Sequence, residues 1–226
     1  DFYVGLAPQQ YVGRAGDEIS VDVVTVNWAG ERVPNRSLFA EVYRREWINT
    51  FVEDEFGGGT WEWTTQDTLV YSGTLTTDGN AEGVVTFIPP QGGSYRIVVS
   101  ARNTQYTIRA STWVWASGDE YISWRRENND RITLISDKTT YRPGETAEIL
   151  IPSPFQGEQW AWITVERGGI LRQEVMRLES NSTVYRLPIT AEHAPNIFFS
   201  VVIVKGPDAT ERVASQKVGY VLLTVE

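Results

Sequence analysis

The run Tyr141-Arg142-Pro143-Gly144-Glu145-Thr146-Ala147 has an echo in the first half of this chain, Tyr11-Val12-Gly13-Arg14-Ala15-Gly16-Asp17-Glu18-Ile19. In both copies a Gly-acid pair precedes alternating apolar residues, Ile19-Ser20-Val21-Asp22-Val23 in one and Ala147-Glu148-Ile149-Leu150-Ile151 in the other. A loop that turns at glycine and feeds a half-buried strand accounts for both, because glycine adopts positive φ without a steric penalty. The chain therefore reads as two copies of one β-unit.

Period-two alternation continues almost throughout and helical periodicity is nearly absent. Strands are expected near 2–7, 19–28, 38–48, 61–71, 72–77, 83–88, 95–101 and 105–116. A second set is expected near 131–137, 147–151, 159–166, 171–178, 182–188, 197–204 and 217–225. Glycine-bearing turns separate them at Trp28-Ala29-Gly30-Glu31, Asp78-Gly79-Asn80, Gln91-Gly92-Gly93 and Arg167-Gly168-Gly169. Short strands at this spacing predict an all-β chain of two tandem antiparallel β-sandwich domains. The polar stretch Ser117–Asp130 marks the boundary, giving domains 1–122 and 123–226. Within it Trp124 is a candidate for interdomain docking, and Arg125-Arg126 reads as solvated. The stretch Asn49–Gly59, with Glu53-Asp54-Glu55 and three glycines, reads as an excursion ending in a mobile hairpin tip.

A net charge of −9 and a pI near 4.8 leave no basic stripe for nucleic acid. The absence of cysteine excludes disulfides, thiolate nucleophiles and thiolate metal sites. No apolar run approaches the ~20 residues of a membrane span. Apolar, strand-like sequence runs up to both termini, as expected of a piece of a longer polypeptide.

Candidate chemistry is sparse. His193 is the single histidine, and neither a G-x-S-x-G nucleophile motif nor a second imidazole accompanies it. It reads as a loop residue, with no catalytic residue, metal or cofactor site expected. Glu53-Asp54-Glu55 lacks the alternating spacing that wraps a calcium ion. Tryptophans occur as pairs, Trp61/Trp63, Trp113/Trp115 and Trp160/Trp162. Since i and i+2 share a strand face, each pair forms an aromatic ledge. Such ledges either fill a sandwich core or a domain interface, or stack on sugar rings, and the scatter of the pairs over both halves favours the first reading. The segment Gly206–Lys217 joins two apolar strands through small and polar residues, the composition of a protease-accessible loop or of an ordinary variable hairpin loop.

Several of these residues also carry a family likeness. The second half resembles a domain of the bacterial alpha-2-macroglobulin family through Asp137-Lys138, Tyr141–Ala147, Ile151-Pro152-Ser153-Pro154-Phe155, Val165–Leu171, Ala194-Pro195-Asn196, Ser200-Val201-Val202 and Val218-Gly219-Tyr220. The first half resembles the preceding macroglobulin-like domain through Arg45-Glu46-Trp47, Trp61-Glu62-Trp63, Thr77-Asp78-Gly79 and Gly93-Ser94-Tyr95-Arg96. The resemblance implies macroglobulin-like (immunoglobulin/fibronectin-like) sandwiches within a large trap for endopeptidases, in which an exposed bait segment is cut. Its implied partners are target proteases and neighbouring domains of the same chain. Its implied location is periplasmic or extracellular, with membrane anchoring through a more N-terminal region among the options. The trap's thioester motif, Cys-x-Glu-Gln, is absent from this cysteine-free sequence. A bait-like insertion falls on Gly206–Lys217, with Gly206, Glu211, Arg212 and Lys217 as protease-accessible positions. The rival expectation, from the aromatic ledges, is a carbohydrate- or cell-wall-binding module.

Overall fold

The computed structural model describes residues 2–55, 58–102, 107–208 and 213–226, and no α-helix occurs among them. The first eight strands are β1 (Tyr3–Pro8), β2 (Val12–Arg14), β3 (Ile19–Val26), β4 (Ser37–Glu53), β5 (Gly59–Thr76), β6 (Glu82–Phe87), β7 (Gly93–Arg102) and β8 (Thr107–Ser117). The next eight are β9 (Ile135–Ser136), β10 (Thr140–Tyr141), β11 (Thr146–Pro152), β12 (Gln159–Glu166), β13 (Ile170–Leu178), β14 (Ser182–Pro188), β15 (Asn196–Lys205) and β16 (Ser215–Val225). A 3-10 turn, Ala191–His193, precedes β15. The chain divides into two compact units, Asp1–Glu46 with Gln66–Ala116 and Trp47–Thr65 with Ser117–Glu226.

Each unit is a sandwich of a three-stranded and a five-stranded sheet. The orders are β1-β3-β6 and β2-β8-β7-β4-β5 in the first, β9-β11-β14 and β10-β16-β15-β12-β13 in the second. Adding eight to every label of the first unit reproduces the second, so the echo in sequence is a duplicated topology. The cores are built alike. Ile19, Val21 and Val23 point inward from β3, as Ala147, Ile149 and Ile151 do from β11. They meet Tyr95, Ile97 and Val99 of β7 and Ile197, Phe199, Val201 and Ile203 of β15. Each fully buried aliphatic side chain contributes about 1.5–3 kcal/mol relative to exposure.

The turn that announced the repeat is also built twice. Gly16 and Gly144 hold φ of +89° and +97°, values that disfavour any side chain. Gly16 N–H donates to Pro89 O (2.9 Å) and Gly144 N–H to Ile189 O (2.8 Å). The carbonyls of Tyr11 and Tyr141 accept from Trp115 N (2.8 Å) and Glu226 N (2.9 Å), both at the last strand of their five-stranded sheet.

Three expectations need correction. Asn49–Gly59 does leave the first unit as a hairpin, but the strand bounds move: β4 runs unbroken to Glu53, past its expected end at 48, and β5 runs unbroken from Gly59 to Thr76, where two separate strands were expected. Glu53-Asp54-Glu55 leads into the hairpin turn, with Asp54 N–H on Gly58 O (2.9 Å) and Gly58 N–H on the Asp54 carboxylate (2.9 Å); Phe56 and Gly57 lie outside the described residues. The pairing is not wholly antiparallel either. The short strand β10 lies parallel to β16, Thr140 beside Thr224, because it crosses between the two sheets directly from β9.

Candidate functional site

The Asp-Lys and Tyr-Arg-Pro-Gly-Glu-Thr residues of the second unit serve the backbone rather than chemistry. The buried Tyr141 hydroxyl donates to the Asp137 carboxylate (2.8 Å) and accepts from Lys138 N (3.1 Å). The same Asp137 oxygen accepts Glu148 N–H (2.8 Å), tying the turn to β11. Burial and then the Asp137 bond push the Tyr141 phenol well above its ordinary pKa, so it stays a neutral donor. Glu145 closes the turn by accepting from Arg142 N (2.8 Å) and Lys138 Nζ (3.2 Å). This is a clasp of the turn's own backbone, and no buried side-chain polar atom among the described residues lacks a partner.

The tryptophan ledges lie outside the sandwich cores, which corrects the first of the two burial sites expected for them. Parity along each strand decides this. On β8 the inward set is Ile108, Ala110, Thr112, Val114 and Ala116, which leaves Trp113 and Trp115 on the other face. On β12 it is Ala161, Ile163 and Val165, so Trp160 and Trp162 remain 49% and 43% exposed. Cations cover two of the ledges. Arg45 lies over Trp113 (4.9 Å) while gripping Asp67 through two 2.7 Å bonds, and that grip holds the Asp67 carboxyl below its usual range.

The other covered ledge is on the outer hairpin, within the second unit. Trp47 and Trp63 meet edge to face at 5.0 Å, and Phe51 lies 5.2 Å from Trp61. Arg125 stacks over Trp63 (4.1 Å) and Arg126 over Trp61 (4.0 Å). Arg125-Arg126 is therefore a pair of aromatic-stacked cations as well as a partly solvated run, since Arg125 stays exposed and pairs with Glu127 (3.0 Å). Asparagines fasten the same segment. Asn49 donates to Trp124 O (2.9 Å) and accepts from Arg126 N (2.9 Å). Asn128 pairs with the Trp61 backbone on both sides, accepting its N–H and donating to its carbonyl (2.9 Å), as a neighbouring strand would. Ser123 Oγ bonds the Trp47 carbonyl.

Trp124 is 6% exposed, and its indole N–H donates to Asn181 O (2.7 Å). Asn181, itself 5% exposed, accepts from Ile122 N (3.0 Å) and donates to Ile122 O (2.7 Å) and Ser153 O (3.1 Å). Sequence reasoning missed Asn181, Asn49 and Asn128. Asn49 had the signal of an asparagine within apolar strand sequence, whereas Asn128 was masked by the polar run around it.

Of the positions expected to be protease-accessible, Gly206 follows directly after β15, whereas Glu211 and Arg212 lie outside the described residues. Lys217 stands inside β16 opposite Ile203, and its ammonium donates to the carbonyls of Glu127 (3.1 Å) and Asn129. The connection between the strands is thus 206–214. At its other root Lys205, 2% exposed, is paired with Asp208. His193 sits in the 3-10 turn, where its Nδ1 accepts Thr190 N–H (3.2 Å). Among the described residues no group of three or more His, Cys, Asp or Glu is placed to hold a metal ion.

Two like-built sandwiches follow one another along the chain, each carrying an arginine stacked on tryptophan, which defines a tandem pair of β-domains. The family model for the bacterial macroglobulin domain 6 matches residues 5–113, and that for the alpha-2-macroglobulin bait region domain matches residues 132–225. The chain belongs to the bacterial alpha-2-macroglobulin family. An alpha-2-macroglobulin homolog of a Nostoc species is 22% identical over 198 residues, covering 86% of this chain and 10% of the relative. The alpha-2-macroglobulin of Escherichia coli is 27% identical over 184 residues, covering 77% and 10%. The native conformation of the Escherichia coli protein aligns over 100% of this chain and 15% of its own, at 22% identity and a TM-score of 0.47. The chain spans about a tenth of the length of the curated relatives it matches.

Proposed function

We propose that this chain is a non-catalytic structural segment of a broad-spectrum endopeptidase trap, comprising domains 1–122 and 123–226, acting in the periplasm or outside the cell. The observation that carries the reading is the bait region domain match over residues 132–225, which includes the 206–214 connection. That connection is the longest between paired strands of the second sandwich. A ladder-locked framework resists proteolysis because cleavage needs locally extendable backbone, so the framework confines cutting to such a connection. The pinned lysines at its two roots frame the cuttable stretch.

Neighbouring macroglobulin-like domains are the proposed partners of the outer face of the five-stranded sheet. There Trp160, Trp162, Val175, Phe198, Tyr220 and Leu222 stand exposed, with Trp162 paired to Val175 and Phe198 to Leu222 on the same sheet. Trp124, bonded to Asn181, is the proposed anchor of the interdomain segment. Limited proteolysis with enzymes of unrelated specificity tests the trap reading. First cuts within 206–214 are expected; first cuts inside ladder-paired strands overturn it.

One observation favours a carbohydrate- or cell-wall-binding alternative, the exposure of Trp160 and Trp162. A saturable fluorescence change on titration with cell-wall polysaccharide, lost in Trp160→Ala, would support it. A flat titration removes it.

A further inference from the structure

The segment 117–130 is held at three stations, all within the second unit. At the first, Asn181 grips Ile122 and Trp124, and Ser182 Oγ bonds Gly118 O (2.8 Å). At the second, the segment crosses the outer hairpin, stacked and bonded at Trp47, Asn49, Trp61 and Trp63. At the third, it joins the root of β16. Lys217 Nζ holds the Glu127 and Asn129 carbonyls, Val218 N–H donates to Asp130 O (2.6 Å), and Ile132 N–H returns to Val218 O (2.9 Å).

The second and third stations share the residues between them. Asn128 clamps Trp61, while its sequence neighbours Glu127 and Asn129 carry the two carbonyls that Lys217 holds. When Lys217 binds the carbonyls on both sides of one residue, it fixes where that residue's side chain points. The Asn128 amide must present an acceptor and a donor together to the N–H and C=O of one residue, and that demands a fixed backbone.

We propose that residues 117–130 are a strap coupling the root of the 206–214 connection to the tryptophan face of the outer hairpin, with Lys217 as the coupling residue. In this arrangement, loosening the start of β16 releases Asn128 from Trp61 and uncovers the face under Arg125 and Arg126. Its functional meaning rests on the trap reading above: a cut in the connection is passed to a hairpin remote from it in sequence. The physical warrant is the contiguous hydrogen-bonded and stacked network that runs from Lys217 through Asn128 to Trp61.

Amide hydrogen exchange on the uncut chain tests the coupling. Lys217→Met keeps the aliphatic stem and removes the donors. It is expected to raise exchange about tenfold at residues 127–132. A several-fold rise is expected at 47–52 and 60–65, with a red shift of tryptophan emission. Coupling is reciprocal, so Asn128→Ala must raise exchange at residues 215–218. A change confined to 127–132 in Lys217→Met, or an Asn128→Ala variant with unchanged 215–218, overturns the proposal. So does an equal rise at the core residues 149–151, which marks general loosening. Because the protein is uncut, first cuts inside ladder-paired strands defeat the trap reading and leave this result standing.

Discussion

The two sandwiches share one topology and differ most in one hairpin. In the second unit, β12 and β13 have 8 and 9 residues; their counterparts in the first, β4 and β5, have 17 and 18. The short pair closes through Arg167-Gly168-Gly169, with Gly168 at φ +66° and Arg167 N–H on Gly169 O (2.9 Å). The long pair runs past its own sandwich, and its outer part, Trp47–Thr65, belongs to the second compact unit. Strand extension thus adds a new packing surface without disturbing the duplicated core. The ladder supplies its own backbone partners as it lengthens, and only side chains need new company. Here that company is Arg125, Arg126, Asn128 and Trp124.

If the cores are equivalent, equivalent losses should follow from equivalent cavities. Ile19 and Ile149 are both fully buried on the middle strand of their three-stranded sheet. Ile19→Ala and Ile149→Ala should each cost about 2–5 kcal/mol. Two denaturant transitions are expected, each substitution shifting only the one that belongs to its unit. A single transition displaced equally by both variants would show that the long hairpin merges the sandwiches into one cooperative body.

The paired turn sharpens the comparison at a smaller scale. A Cβ at Gly16 or Gly144 would meet nothing within 4 Å, so the cost of Gly16→Ala and Gly144→Ala is backbone strain alone. About 1–2 kcal/mol is expected for each, and matched values from denaturant midpoints would make the turns energetic as well as geometric copies. Unequal values would locate extra strain in the tighter loop, where two residues rather than four separate the tyrosine from the glycine.

Much of this was legible in the sequence, and the reasons for the rest are physical. Gly16 and Gly144 were readable because positive φ leaves a residue-specific mark, and the cores because alternation follows from the pleat. The orientation of the ledges was missed because Trp160-Ala161-Trp162-Ile163 is apolar on both parities. Extending the parity would have resolved it: the tryptophan set continues into Thr164 and Glu166, the inward set into Val165. The strap was hidden for another reason. Asn49 and Asn128, or Arg126 and Trp61, are brought together only by the fold, and sequence proximity says nothing about such pairs. A polar run with two arginines looks the same whether water or tryptophan receives it.

The smallest expected effect separates the units by pH. The turn between β14 and β15 carries His193, the chain's one histidine, whereas the corresponding turn of the first unit reads Ile88-Pro89-Pro90-Gln91-Gly92 and has nothing to titrate. Burial lowers the His193 pKa, Arg167 adds to the lowering, and Glu192 opposes it. A lowered folded value means that the unfolded chain binds the proton more readily. The stabilisation is therefore complete above the unfolded value near ~6.5 and is lost as pH falls through the folded value. The structural partner of that loss is the Thr190 N–H, which a protonated Nδ1 no longer accepts. Between pH 7 and 5 the second unit's denaturant midpoint should fall slightly while the first unit's holds. His193→Gln, which keeps a side-chain acceptor but cannot titrate, should flatten the second unit's profile. A slope that survives the substitution would assign the proton to another group.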